Sequence, residues 1–261
     1  MKLKSLVLTL TLLMAAGASY ADTQVVAHRG YWKAPGVKQN AVGSAQNSLA
    51  SYKKADALNI YGSEIDVWIS TDGVVFVNHD RVFKGCEIQK STSKECKKVV
   101  LDNGEKMPTL KNYLKTVKKG KCQLVCEIKT HKDPERQKAC VSEVLRLVKK
   151  AGLEKRTDYI AFSWDACLQL KKEAPAGTEI YYLNGDKNPQ EIKQAGLTGV
   201  DYEAKVMINK HPEWLQQFKD LGLKINIWTI DDAQTMRHYV DKGVDFITTN
   251  EPELCKTIVK K

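Results

Sequence analysis

The sequence has no Cys-x-x-Cys pair and no Cys/His cluster, so the common zinc-binding arrangements are excluded. No glycine-rich phosphate loop follows the first apolar segment, where His28-Arg29-Gly30 stands instead. A doubly wound, dinucleotide-binding sheet needs such a loop and is left as the runner-up fold. Its 7 prolines and 16 glycines nowhere gather into a linker, which favours one domain. Only residues 6–16 form a long apolar run, well short of the ~20 residues a membrane span requires. Lysines are plentiful, but pairs such as Lys97-Lys98, Lys118-Lys119 and Lys149-Lys150 are dispersed. They fit solvated helix faces better than a basic stripe with interleaved aromatics, so no nucleic-acid partner is expected. No short internal repeat occurs.

The first 21 residues carry the marks of a secretory leader. Lys2 and Lys4 make a basic start, an apolar run follows, and Ser19 and Ala21 are small residues at −3 and −1 before Asp22. Removal of residues 1–21 is expected, leaving 22–261 as one exported domain, periplasmic or secreted, with no stable membrane anchor. The formal net charge of +10 falls by the two leader lysines and stays basic. Such a surface favours phosphates or acidic lipid headgroups. All seven cysteines lie beyond the leader, so at least one stays unpaired within the chain. Cys86 and Cys96 bracket a polar loop and are the best candidates for a disulfide. Cys122 and Cys126 flank a strand-like segment whose extended backbone would set their Cα atoms ~13 Å apart, beyond bridging reach. Cys126, Cys140 and Cys167 read as buried apolar residues.

Helix and strand patterns alternate from there to the end. Strands are predicted over 24–27, 64–66, 122–129, 157–162, 179–183, 199–204, 224–230 and 245–249. Helices are predicted over 48–58, 110–117, 134–150, 165–172, 189–195, 212–221, 232–242 and 252–259. Thr109 is a plausible N-cap, Pro212 opens its helix, and Gly152 closes the 134–150 helix. That helix would bury Ala139, Val141, Val144, Leu145 and Val148. Eight strands, each followed by a helix, predict a (β/α)8 TIM barrel.

Charged residues interrupt the second and third strands. Residues i and i+2 of a strand share a face, so Glu64 points with Asp66, and Glu127 with Lys129. Charges inside a barrel are costly unless paired or bound to a metal. Asp72-Gly73 between two apolar segments signals a hairpin. With a two-residue turn there, Ile69 pairs with Phe76 and Asp66 with His79, which returns His79 to the carboxylates. His28 ends the first strand, on the face where barrel active sites form. Glu64, Asp66 and Glu127 make an all-oxygen set suited to Ca²⁺ or Mg²⁺ rather than zinc. Arg29 and Lys129 suit phosphate oxygens, and two histidines suit acid–base work near neutrality. Together these describe cleavage of a phosphate ester.

These residues resemble the glycerophosphodiester phosphodiesterase family over nearly the whole chain after the leader. The resemblance rests on His28-Arg29-Gly30, Asn47-Ser48, Glu64-Ile65-Asp66-Val67, Thr71-Asp72-Gly73 and His79-Asp80. It continues in Pro108-Thr109-Leu110, Glu127-Ile128-Lys129, Trp228-Thr229 and the closing Gly243-Val244-Asp245 to Thr248-Thr249-Asn250. It implies a barrel with a small insertion after strand 2, and a divalent metal on Glu64, Asp66 and Glu127. It further implies acid–base roles for His28 and His79, phosphate contacts from Arg29 and Lys129, and Trp228 lining the substrate pocket. A small glycerophosphodiester is the implied substrate. Two departures stand out: Gln46 replaces a frequent Glu and is left out of the metal set, and Asn250 stands where Asp is frequent. Asn47 is a candidate partner of the metal-binding residues, or simply a helix cap with Ser48. Residues 81–106 carry the loop cysteines and are where specificity is expected to vary.

Two other readings stay open. A related barrel could act on phosphoinositides or other phospholipid headgroups, with Tyr31-Trp32 as the obvious membrane-facing pair. A non-catalytic binding barrel would require loss of core residues that are all present. Oligomeric state is not legible.

Overall fold

The computed structural model describes residues 22–37 and 39–260. The predicted leader lies outside these residues. In chain order the elements are β1 (Gln24–Ala27), α1 (Leu49–Ala57), β2 (Gly62–Ile69), β3 (Val75–Val77), β4 (Val82–Phe83), β5 (Cys86–Glu87), α2 (Ser93–Cys96), α3 (Leu110–Val117), β6 (Gln123–Ile128) and α4 (Pro134–Ala151). Then follow β7 (Thr157–Ala161), α5 (Trp164–Glu173), β8 (Ile180–Tyr182), α6 (Pro189–Gln194), β9 (Gly199–Glu203), α7 (Trp214–Asp220), β10 (Lys224–Trp228), α8 (Ala233–Asp241), β11 (Phe246–Thr249) and α9 (Pro252–Val259).

Strands β1, β11, β10, β9, β8, β7, β6 and β2 pair in that order, all parallel, and β1 pairs β2 to close the ring. This is the predicted (β/α)8 barrel. Alternation along each strand divides the core in two. Ile65, Val67, Leu124, Cys126 and Ile225 face outward into the helix layer. Val26, Val125, Ile160, Tyr181 and Phe246 fill the lumen. Each such burial is worth about 1.5–3 kcal/mol. Caps on several helices fix where the loops on the site face end. Ser48, Thr109, Asp133, Ser163, Asn188 and Asp232 each accept a backbone N–H of the helix they open. Gly199 has no room for a side chain, because a Cβ there would lie 1.9 Å from the Lys224 carbonyl oxygen across the β9–β10 pairing.

Between β3 and α3 lies the expected insertion: the β4–β5 hairpin, a 3-10 turn over Ile88–Lys90, and α2 behind a Thr92–Glu95 capping box. It has its own small core, including Trp68, Phe76, Ile88 and Met107. Cys86 and Cys96 face each other there with Sγ atoms 3.4 Å apart, as thiols. The other five cysteines are buried and unbridged. No helix among the described residues is long and apolar enough to cross a membrane.

Three local expectations need correction. Helix α4 buries Gln137, Cys140, Val141, Val144, Leu147 and Val148; Ala139 is exposed and Leu145 only half-buried. The stripe set by the 3.6-residue turn runs through 137, 140/141, 144 and 147/148, and position 139 falls outside it. Helix α7 begins at Trp214 rather than at Pro212, after a π-helical turn over Val206–Lys210, with no side-chain cap. The hairpin after β2 closes through three residues, not two. Ser70 N–H donates to Val74 O, and Gly73, in the left-handed region at φ 82°, donates to Ser70 O. The Asp72 carboxylate accepts from Ser70 Oγ at 2.7 Å and from Ser93 N–H and Oγ, which ties the turn to the insertion. Val67 therefore pairs with Val77, and Asp66 accepts from Asn78 N–H at 3.0 Å.

Candidate active site

The chain leaves β1 through a tight turn. His28 N–H still pairs with Thr249 O, then Arg29 (φ 56°) and Gly30 (φ 78°) both enter the left-handed region. A Cβ on Gly30 would lie 2.3 Å from Ser51 Oγ, so no other residue fits. For Arg29 this conformation costs about 1 kcal/mol. Its N–H in return donates to Glu64 Oε2 at 2.7 Å, and its carbonyl accepts from Asn47 N–H and Ser51 Oγ. The turn holds the guanidinium over the carboxylates, with Nη1 donating to Gln46 Oε1 at 2.7 Å and Nε 3.8 Å from Asp66 Oδ2. Gln46, the departure from the family pattern, thus steadies Arg29.

Glu64 and Asp66 point into the lumen from β2, and Glu127 joins them from β6, where it is in register with Asp66. All three are buried, and one oxygen from each lies within 4.8 Å of the others. Asn47 braces Asp66 twice, donating to Oδ2 at 2.9 Å and accepting from its N–H at 3.1 Å, while Ser48 caps α1. Lys129 Nζ lies 2.7 Å from Glu127 Oε1 and 3.2 Å from Asp66 Oδ1. Burial and the Asp66 and Glu127 charges push Glu64 well above the usual carboxylate range. Burial, with Asp66 beside it, raises Glu127 to about 7. Burial opposes ionisation of Asp66 too, but Lys129, His79, Arg29 and the Asn47 hydrogen bond hold it far below its ordinary value. Glu64 Oε1 is buried with no hydrogen-bond partner. An orphaned carboxylate oxygen among three converging hard donors fits a divalent cation, of the Ca²⁺ or Mg²⁺ type by donor chemistry.

The two histidines are tethered differently. His28 is buried, and its Nδ1 lies 2.9 Å from Asn250 Oδ1. The indole N–H of Trp32 donates to the same oxygen at 3.2 Å, and Asn250 Nδ2 donates to Asp231 Oδ2 at 2.9 Å. An indole N–H only donates, so the atom it shares with His28 is the amide oxygen and the orientation is fixed. His28 therefore carries its proton on Nδ1 and leaves Nε2 as an acceptor. Burial, reinforced by the Arg29 charge, lowers its pKa to about 4, so it is neutral near pH 7. His79 is about one-third exposed, with Nδ1 2.8 Å from Asp80 Oδ1. Burial lowers its pKa, only partly offset by Asp66. The corrected hairpin register puts Asn78, not His79, opposite Asp66. β3 has ended by then, and His79 reaches the site from the following loop, its carbonyl held by Trp68 Nε1.

His28, Arg29, Glu64, His79, Glu127 and Lys129 line one funnel at the C-terminal end of the barrel. It encloses about 90 Å³, below the usual range for drug-sized ligands. Asp66 lies just beneath, bonded to Lys129. The opposite wall is Ile160, Phe162, Leu183 and Trp228, with Asp201 and Thr248. Trp228 packs edge-on to Phe162 at 5.7 Å and donates its indole N–H to Asp201 O. All eight residues singled out from the sequence thus meet. Three further residues do not follow from the sequence reading. Asn250 stands out only as a departure from the family pattern, and Asp231 has no periodic signal. Asp201 does show the signal that marks Glu127, an acid at a lumen position between outward Val200 and Tyr202, but a lone acid in a short strand is a weak one.

Comparison with known proteins gives a consistent family. Residues 28–254 match the glycerophosphoryl diester phosphodiesterase family. A curated glycerophosphodiester phosphodiesterase from Caldanaerobacter subterraneus subsp. tengcongensis is 26% identical over 253 residues, covering 92% of this chain and 98% of that protein. The crystal structure of a glycerophosphodiester phosphodiesterase from Parabacteroides distasonis is 45% identical, with a TM-score of 0.86, covering 91% of this chain and 97% of that one. An Oleispira antarctica phosphodiesterase, solved in complex with the product sn-glycerol-3-phosphate, shares the fold at a TM-score of 0.75 and 21% identity, covering 91% and 97%.

Proposed function

The chain belongs to the glycerophosphoryl diester phosphodiesterase family, and from that premise we propose that it hydrolyses small glycerophosphodiesters to an alcohol and glycerol 3-phosphate, with His28 and His79 as base and acid. One observation carries this reading. Two cations, two differently tethered histidines and the buried carboxylates of Glu64 and Glu127 line a single funnel, with Asp66 converging on them from just beneath.

Glu64, Asp66 and Glu127 would hold Ca²⁺ or Mg²⁺, which when bound supplies Lewis-acid polarisation of a phosphoryl oxygen. Arg29 would grip phosphate oxygens as a planar fork and Lys129 as a point charge. His28, neutral and with Nε2 free to accept, would take the proton of the attacking hydroxyl. That hydroxyl belongs to water or to the substrate's own C2, in which case a cyclic phosphate precedes the final product. His79, with Nδ1 anchored on Asp80, would give a proton from Nε2 to the leaving alkoxide. An arriving phosphodiester anion favours the protonated form of this ring, against the burial that lowers its pKa.

The narrow funnel favours deacylated substrates over intact lipids. The pair Tyr31-Trp32 is half-buried, with Trp32 engaged by Asn250. In the same β1–α1 loop, however, Val37 and Val42 are exposed, which keeps a phospholipid surface as the second reading. We place the protein outside the cytoplasm, with residues 1–21 removed, on the strength of the basic, apolar and small-residue order of that segment.

The test is a turnover panel of glycerophosphocholine, glycerophosphoethanolamine, glycerophosphoinositol and phosphatidylcholine vesicles, each run with chelator and with added Ca²⁺ or Mg²⁺. Glycerol 3-phosphate should appear from the water-soluble diesters, stop with chelator and return with metal. Hydrolysis of the vesicles alone would move the assignment to a phospholipase, and release from none would overturn it.

A further inference from the structure

We propose that Asp201 is a specificity-determining residue whose carboxyl hydrogen-bonds a hydroxyl of the substrate's polyol portion in the inner part of the funnel. The inference rests on the phosphodiesterase reading above and extends it to a residue outside the metal and histidine set.

Asp201 sits mid-strand in β9, is 1% exposed, and lines the funnel. Its Oδ1 is buried and has no hydrogen-bond partner. Lumen polar groups outside the metal set show the contrast. Asp158, one of the lumen-facing residues of β7, is equally buried but fully engaged, accepting from Tyr61 OH at 2.7 Å and Gln123 Nε2 at 2.8 Å. Asn226, in register with Asp201 on β10, is matched with Thr248 Oγ1 on β11 at 2.9 Å. A buried acid left short of a partner destabilises the fold, so the position would be better filled by an apolar residue if packing alone mattered. Asp201 also falls outside the group whose oxygens converge within 4.8 Å, so it is not a fourth member of the metal set.

The surroundings select the ligand group. Arg29, Lys129 and a divalent cation would together exceed the three carboxylates Glu64, Asp66 and Glu127 by one formal positive charge, which disfavours a further cation such as an ammonium headgroup. A neutral hydroxyl carries no such penalty. Burial, reinforced by the Glu127 charge, pushes Asp201 well above the usual carboxylate range. A carboxyl oxygen accepts from a hydroxyl in either protonation state. Around it, Ile160, Phe162, Leu183 and Trp228 form an apolar wall for the carbon skeleton. A site built to hydrogen-bond a hydroxyl discriminates strongly against substrates that lack one, because its own polar group is then left unpaired.

The experiment compares wild type, Asp201→Asn and Asp201→Leu on glycerophosphocholine and on bis(p-nitrophenyl) phosphate, a diester with no hydroxyl. Asp201→Leu should lose at least tenfold more kcat/KM on glycerophosphocholine than on the aryl diester. Asp201→Asn, which keeps a donor and an acceptor, should fall between. Both variants should melt at or above the wild-type temperature, the reverse of what loss of a structural contact produces. In wild type, glycerol 3-phosphate should raise the melting temperature more than methyl phosphate does, and Asp201→Leu should erase the difference. Equal losses on both substrates, or wild-type turnover of glycerophosphocholine by Asp201→Leu, would overturn the proposal. So would equal melting shifts from the two phosphates in wild type, even if turnover upholds the phosphodiesterase reading. If no glycerophosphodiester is cleaved, that reading fails by itself, and the two melting shifts still decide the role of Asp201.

Discussion

The crowding of Glu127 with Asp66 and Glu64 has a measurable thermodynamic consequence. Glu127 is raised from 4.5 to about 7, first by burial and then by the Asp66 charge. A carboxyl that binds its proton more tightly in the folded state contributes stability below its unfolded pKa. That contribution is lost as pH rises through the folded value, so without metal the loss falls between about pH 4.5 and 7. A shift of this size corresponds to on the order of 3 kcal/mol, because each pKa unit is about 1.4 kcal/mol. In a domain of this length that is roughly 6–12 °C in melting temperature, at about 2–4 °C per kcal/mol. Glu64 is raised as well and acts in the same direction. The cleanest assay is calorimetric melting of wild type and Glu127→Gln in chelator at pH 5, 6, 7 and 8. The amide cannot ionise, so groups common to both proteins, such as Asp158, cancel in the difference. Wild type should lose ground to the variant steadily as pH rises. Adding Ca²⁺ or Mg²⁺ at about a hundred times its Kd should raise wild type by about 2.7 kcal/mol. That metal should bind more tightly at pH 8 than at pH 5, since it displaces a proton. A wild-type minus variant difference that stays flat with pH, or changes in wild type's favour, would refute the view that these carboxylates are held together against their own repulsion.

Four other outcomes are expected. His28→Ala and His79→Ala should each lower kcat at least about a hundredfold, with metal binding by titration calorimetry unchanged; near-normal rates in both would remove them from the chemistry. Asn250→Asp should lower kcat about tenfold by setting two carboxylates together, and Asn250→Asp with Asp231→Asn should recover most of the loss, because the exchanged pair restores the hydrogen bond; additive losses would refute the coupling. Under oxidising conditions Cys86 and Cys96 should bridge, leaving five of the seven thiols titratable in denaturant and adding about 3 kcal/mol of stability, while seven free thiols in protein recovered from the oxidising compartment would contradict this. Gly199→Ala should destabilise by on the order of 3 kcal/mol or more, or yield insoluble protein, since its Cβ would meet a backbone oxygen that cannot move aside; unchanged melting would refute the close approach.

Two kinds of regularity carried most of the fold into the sequence. Alternation located the strands and set Glu64, Asp66, Glu127 and Lys129 facing inward, and strand–helix repetition gave the barrel. Capping residues and glycines set several helix ends, as Thr109 and Gly152 show. At the hairpin after β2, a contact distant in sequence decides the local geometry. Asp72-Gly73 looks like a two-residue turn, yet Ser93, 21 residues away, captures Asp72, and the hairpin closes one residue earlier. A one-residue slip in a strand reverses which face every side chain takes. It should have turned His79 away from Asp66, and it does not, because β3 stops at Val77 and the loop carrying His79 is no longer bound by the pleat. His79 therefore stands beside the carboxylates by way of the loop, not by the pairing that a two-residue turn predicts. Asn250 and Asp231 show the opposite limit. Their link to His28 spans 222 residues, and only closure of β11 against β1 brings them together. What orients the buried histidine is a property of the closed ring, and no single segment of the chain records it.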